Sequence, residues 1–155
     1  TTSPAGTPAV AAAVATVLQA GDVLVLVGEM GAGKTAFTQG LAAALGHEGH
    51  VTSPTFTLVH TYDGGRLRLH HVDVYRLERT VELHDLGLAE LLDDDAVTAV
   101  EWGDAIRAAL PAEALEVHLR PGAGADDRTI ELHLAGASWV ARRAALTAAV
   151  EAAAC

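Results

Sequence analysis

Residues 23–35 read VLVLVGEMGAGKT, and the fold follows from the point where the apolar run stops and the glycines begin. VLVLV, at 23–27, is wholly apolar, the pattern of a short strand buried on both faces of a parallel sheet. Gly28, four further residues and then Gly33-Lys34-Thr35 fit the spacing G-x-x-x-x-G-K-[ST]. Gly28, Gly31 and Gly33 remove Cβ atoms, so the backbone can curl round phosphates and aim its N–H groups at them. A helix opening near Lys34 adds its positive end. Lys34 is then in reach of β- and γ-phosphates, and the Thr35 hydroxyl suits Mg²⁺. A Gly-rich turn matching by chance would lack the preceding strand and following helix that the motif needs. The chain's only lysine also falls on the motif's lysine position.

The helix is legible in KTAFTQGLAAALG. Phe37, Leu41 and Leu45 recur at i, i+4 and i+8, with Ala36, Gly40 and Ala44 beside them, as for a helix packed closely on a sheet and ended by Gly46. Upstream, TPAVAAAVATVLQAG reads as a helix capped by Thr7, with Pro8 in the first turn and Gly21 past the end. Downstream, residues 55–77 read as two strands joined at Asp63-Gly64-Gly65. TVELHDLGLAELLDDD (80–95) reads as a helix capped by Thr80, AVTAVEW as a second buried strand, and DAIRAALP as a short helix. ALEVHL and RTIELHL are two more strands around the loop 121–125, and 138–154 is a terminal helix capped by Ser138. The adjacent His70 and His71 fall on opposite faces of a strand, which makes them structural rather than a shared metal site. Strands alternating with helices, with no repeat and no second boundary, predict a single α/β domain over 1–155. Its core is a P-loop NTPase-like, mixed but mostly parallel central sheet flanked by helices.

Charge restricts what such a domain can hold. The chain of 155 residues carries 20 acidic and 10 basic side chains, a formal net charge of −10, and nine of those bases are scattered arginines. A surface that grips DNA or RNA shows clustered Lys and Arg, so direct nucleic-acid binding is disfavoured. No apolar run approaches the ~20 residues of a membrane span, and no secretory signal opens the chain. With Cys155 the single cysteine, this fits a cytoplasmic protein. The absent initiator Met suggests a processed or trimmed start.

The second metal ligand should be an acid at the end of a buried strand. Asp73 ends RLRLHHVD and Glu101 ends AVTAVE; the second strand is more apolar, which favours Glu101 as metal ligand and Asp73 as a neighbouring or water-positioning group. Guanine-specific GTPases use an Asn-Lys-x-Asp segment, and this chain has no asparagine and no second lysine. ATP/ADP is therefore the nucleotide predicted.

With the phosphate loop, TSPTF, HHVDVYRL and VEWGD in this order, the sequence resembles the TsaE (YjeE) family of bacterial ATPases for threonylcarbamoyladenosine synthesis in tRNA. The similarity spans about residues 7–134. The resemblance implies Mg-ATP binding and hydrolysis that is weak alone and stimulated by a TsaD–TsaB complex. That complex modifies adenosine 37 of tRNAs reading codons that start with A, so tRNA is met only indirectly. It further implies that Glu29, Met30, Gly31, Ala32, Gly33, Lys34 and Thr35 cradle the phosphates, and that Thr35 and Glu101 hold Mg²⁺. Thr52, Ser53 and Thr55 correspond to a switch-like segment near the γ-phosphate. Asp73, Tyr75 and Arg76 match a D-x-Y-R motif, with Lys34, Asp73 and Glu101 the catalytic set. Trp102 and Arg128 are assigned to the nucleotide, the latter near base or ribose.

Two other functions remain open at this level. A small-molecule kinase would need an arginine-bearing lid, for which Arg66, Arg68, Arg76 and Arg79 are the local supply. A nucleotide-gated binding module would use the same loop, with hydrolysis incidental.

Overall fold

The computed structural model describes residues 1–54, 58–75 and 87–153. Thr55, Arg76, Arg79, the Thr80 cap and Cys155 therefore lie outside the described residues. Six strands form one sheet: β1 (Val23–Val27), β2 (Val59–Tyr62), β3 (Arg68–Asp73), β4 (Ala96–Glu101), β5 (Ala114–Pro121) and β6 (Arg128–Ala135). Their spatial order is β2-β3-β4-β1-β5-β6. The four inner strands run parallel, and β2 and β6 close the edges antiparallel. The phosphate-loop strand β1 thus lies between β4 and β5, and β4 presents Glu101 opposite Leu26. Among the described residues no helix is long and apolar enough to cross a membrane.

The continuous hydrophobicity of β1 is explained by its two covered faces. Leu24 and Leu26 face helices α1 (Gly6–Ala15) and α2 (Lys34–Leu45), in a core with Val10, Val14, Phe37, Leu41 and Leu45. Val23 and Val25 face the other way, with Val72, Val100, Ile106 and Leu110. Leu88 of α3 (Leu88–Leu92) joins this second core.

Three local expectations are corrected. Helix α1 begins at Gly6 with Ala5 at its N-cap, so Thr7 lies inside the first turn and is buried. There it abuts the phosphate loop: a Cβ placed on Gly33 would sit 3.7 Å from Thr7 Cγ2. The segment Gly103–Ala109 is 3₁₀ rather than α, kinked at Ile106. The terminal helix is two helices, α4 (Ala137–Ala141) and α5 (Arg143–Ala153), with Gly136 rather than Ser138 at the N-cap. Arg142 marks the break because its guanidinium is committed elsewhere. It forms a bidentate pair with Asp22 at 2.6 and 2.8 Å, donates to Val17 O at 3.0 Å, and stacks on the buried Trp139. Tertiary bonds fix the side chain and turn the helix there.

Gly40 faces α1 rather than the sheet, and a Cβ there would lie 2.6 Å from Pro8 Cα and 2.9 Å from Ala11 Cβ. The contact is backbone to backbone, so it can relax only by moving a helix. Gly40→Ala is expected to destabilise by about 1–3 kcal/mol despite alanine's better helix propensity, read as a lower denaturation midpoint at constant slope.

Candidate active site

The local chemistry of residues 28–35 builds a cradle between β1 and α2. Gly28 is required by close approach: a Cβ would meet Leu119 O at 2.5 Å. Gly31 and Gly33 adopt φ of 79° and 110°, the left-handed region that glycine enters without strain. Gly33 is the N-cap of α2, a 12-residue helix whose dipole points its positive end at the cradle. The buried Lys34 arches back over the loop, and its Nζ donates to Gly28 O at 2.6 Å and Glu29 O at 2.9 Å. Burial pulls the Lys34 ammonium below its ordinary pKa, while the charges of Glu101, Asp73 and Asp104 oppose that.

The ends of β3 and β4 complete the site. Asp73 and Glu101 are register partners in the parallel pair, so the two acids lie side by side at one edge of the cradle. Thr35 Oγ1 donates to Glu101 Oε1 at 2.9 Å. A hydroxyl and a carboxylate this close are hard oxygen ligands of the kind Mg²⁺ takes, and the Cβ-free loop beside them fits a polyphosphate. Ser53 Oγ donates to Asp73 Oδ2 at 3.0 Å, and the Tyr75 backbone N–H donates to Asp73 Oδ1 at 2.9 Å. Thr52 is exposed beside Ser53. A cavity of about 340 Å³ is lined by Met30, Lys34, Thr35, Ser53, Asp73, Tyr75, Glu101 and Trp102 among others.

Two sequence expectations acquire a different setting here. Trp102 is half-buried with φ of 61° and packs against the edge of the second core, and its ring lies 3.9 Å from Lys34 Nζ and 4.8 Å from the Tyr75 ring. The indole therefore belongs to the lysine end of the cleft. Arg128 approaches the opposite end, with NH2 3.5 Å from Gly31 O at the tip of the loop, while its NH1 donates to Ala125 O and Asp127 O.

One residue of the site has only a structural role by sequence pattern. His71 is fully buried and its Nε2 lies 2.8 Å from Glu101 Oε1. The Nε2–H tautomer, assigned from this bond, donates to the carboxylate; among the described residues the buried Nδ1 has no hydrogen-bond partner. His71 thus holds the oxygen that also accepts from Thr35. The signal was present as strand alternation, which puts His71 on the same face as Asp73, but its use required the β3–β4 register. His70 does face the other way, toward Thr61 and Asp94. His71→Ala is expected to cost about 1–3 kcal/mol of stability and to loosen Glu101, read as weaker Mg²⁺ dependence of any nucleotide chemistry.

Residues 1–130 match the family described as Threonylcarbamoyl adenosine biosynthesis protein TsaE. The chain is 44% identical over 136 residues to the tRNA threonylcarbamoyladenosine biosynthesis protein TsaE of Bacillus subtilis, covering 88% of this chain and 84% of that one. It is 42% identical over 120 residues to the protein so named in Mycobacterium tuberculosis, covering 72% and 71%. The crystal structure of Bacillus subtilis YdiB superposes with a TM-score of 0.82 at 36% identity, covering 96% of this chain and 91% of that chain. The architecture is thus a P-loop, mixed-sheet α/β fold shared along nearly the whole chain.

Proposed function

This chain belongs to the TsaE family of tRNA threonylcarbamoyladenosine biosynthesis, and on that premise we propose that it is a Mg-dependent ATPase, slow alone and stimulated by a TsaD–TsaB complex. The observation that carries the reading is the Thr35–Glu101 contact at 2.9 Å beside the lysine-capped loop. Magnesium bound there would polarise a phosphoryl oxygen and offset developing charge. Thr35 and Glu101 would hold it, and Lys34 would move its ammonium from the loop carbonyls to the β- and γ-phosphates. Asp73, oriented through Ser53 and the Tyr75 N–H, is the group that would orient the attacking water. Trp102 would shield Lys34 from solvent, and Arg128 would flank the nucleotide near Gly31.

The acidic chain supports handling of tRNA by the partners, with the reaction reset by hydrolysis between rounds, and a bacterial cytoplasmic setting follows from that role. Two of the four arginines that the kinase alternative would draw on are engaged elsewhere. Arg66 caps the carbonyls of Ala15 and Leu18 at the end of α1, and Arg68 pairs with Asp63 and Asp94. The test is ATP turnover by the purified chain, alone and with TsaD and TsaB, with Lys34→Ala as control. The reading expects low turnover alone, stimulation by the partners and loss in the variant. Turnover indifferent to the partners, or phosphoryl transfer to an added metabolite, would replace it.

A further inference from the structure

The strands β5 and β6 bury one face in the main core, and Arg107 of the 3₁₀ segment reaches Glu116 on the other. Leu115, Val117, Leu119, Ile130, Leu132 and Leu134 pack toward α1 and α2. Strand alternation therefore sends Glu116, His118, Glu131 and His133 to the opposite face. The antiparallel register pairs Glu116 with His133 and His118 with Glu131, so the two histidines are diagonal neighbours. Their rings stack with centroids 4.4 Å apart and planes 23° from parallel. One potential ligand atom from each of Glu116, His118 and His133 falls within 4.8 Å of the others. Among the described residues, no other three His, Cys, Asp or Glu side chains converge in this way.

We propose that Glu116, His118 and His133 form a binding site for a borderline divalent transition metal such as Zn²⁺, separate from the nucleotide cleft. Tetrahedral coordination at about 2.0–2.1 Å needs ligand atoms roughly 3.3 Å apart, so closure from the observed spacing is a matter of side-chain rotation on a paired strand scaffold. Two imidazoles and one carboxylate select zinc, cobalt or nickel over magnesium and calcium, which take oxygen. The carboxylate is prepared for the role. Arg107 Nε donates to Glu116 Oε1 at 2.8 Å and fixes the side chain, leaving Oε2 3.2 Å from His118 Nε2. Glu131 is held in turn by Arg120 at 3.1 Å and lies 3.5 Å from His133 Nε2, adding negative charge beside that histidine. The net charge of −10 draws cations to the surface, whereas Arg107 competes for Glu116 and weakens the affinity. His118 is also the register partner of Val27, next to Gly28, so the site braces the strand that borders the phosphate loop.

The test is titration of the tag-free, nucleotide-free chain with Zn²⁺ by calorimetry, and with Co²⁺ followed by visible d–d absorption. One equivalent is expected to bind with imidazole-type cobalt bands. His118→Ala and His133→Ala should each weaken binding at least tenfold, and the double variant should lose the bands. His133 is about half exposed, so its replacement leaves folding intact, and a matching melting temperature without metal checks this. Glu101→Ala should bind Zn²⁺ as the parent chain does. Absence of saturable binding overturns the proposal. Binding that survives the double variant, or that Glu101→Ala removes, overturns it equally.

Discussion

Glu101→Ala is expected to lower Mg-dependent ATP turnover by about two orders of magnitude, corresponding to roughly 3 kcal/mol of lost charge stabilisation at the transferring phosphoryl group. The carboxylate sits where the N-terminal turn of α2, the end of β3 and the end of β4 converge, and it has two partners in the fold. Removing it deprives Thr35 of its acceptor and leaves the buried His71 Nε2 unsatisfied. The variant should therefore show a second, smaller effect on stability. Because Lys34 and the loop glycines are untouched, nucleotide binding in the absence of magnesium should change little. Turnover titrated with Mg²⁺, alongside nucleotide affinity with and without the metal, separates the two effects. Wild-type turnover in the variant would remove Glu101 from the metal site and return the assignment to Asp73.

The second large effect lies far from the cleft. Arg142→Met keeps an apolar stem over Trp139 but strips Asp22 of a bidentate partner. Both side chains are about nine-tenths buried, so little solvent is available to replace the lost bonds. Leaving one member of such a pair unpaired costs on the order of 3 kcal/mol. For a domain of this size that is a fall of about 6–12 °C in melting temperature. Val17 O also loses its donor, which loosens the junction between α1, β1 and the terminal helices. Thermal unfolding of the variant checks the prediction, and an unchanged midpoint would show that the pair fixes the helix break without stabilising the fold.

The sequence carried the parts of this molecule that are decided locally. VLVLV announces a strand covered on both sides, GEMGAGKT a loop stripped of Cβ atoms, and the leucine spacing after it a helix. The apolarity of AVTAV was enough to favour Glu101 over Asp73, and the structure brings that carboxylate to the Thr35 hydroxyl. What sequence did not carry was decided by partners distant along the chain. His71 reads as an ordinary strand histidine until the β3–β4 register aligns it beside the strand that carries Glu101. The helix at 138–154 is continuous by propensity but is turned at Arg142 by Asp22, 120 residues away. Thr7 has the chemistry of a cap, but the packing of α1 on the phosphate loop puts it inside the helix. Trp102 follows a buried strand, and its left-handed backbone sets the indole between the edge of the second core and Lys34.

Under the proposed function, hydrolysis in this cleft sustains tRNA modification by a partner assembly. Its most direct test is a multiple-turnover modification assay with TsaD, TsaB, threonylcarbamoyl donor and unmodified tRNA, counting modified adenosines per complex. With the parent chain and ATP, the count should rise well above one. With Glu101→Ala, bound nucleotide should persist and the count should stop near one. Equal counts with the two chains would contradict the account and leave nucleotide binding, rather than hydrolysis, as the contribution of this protein.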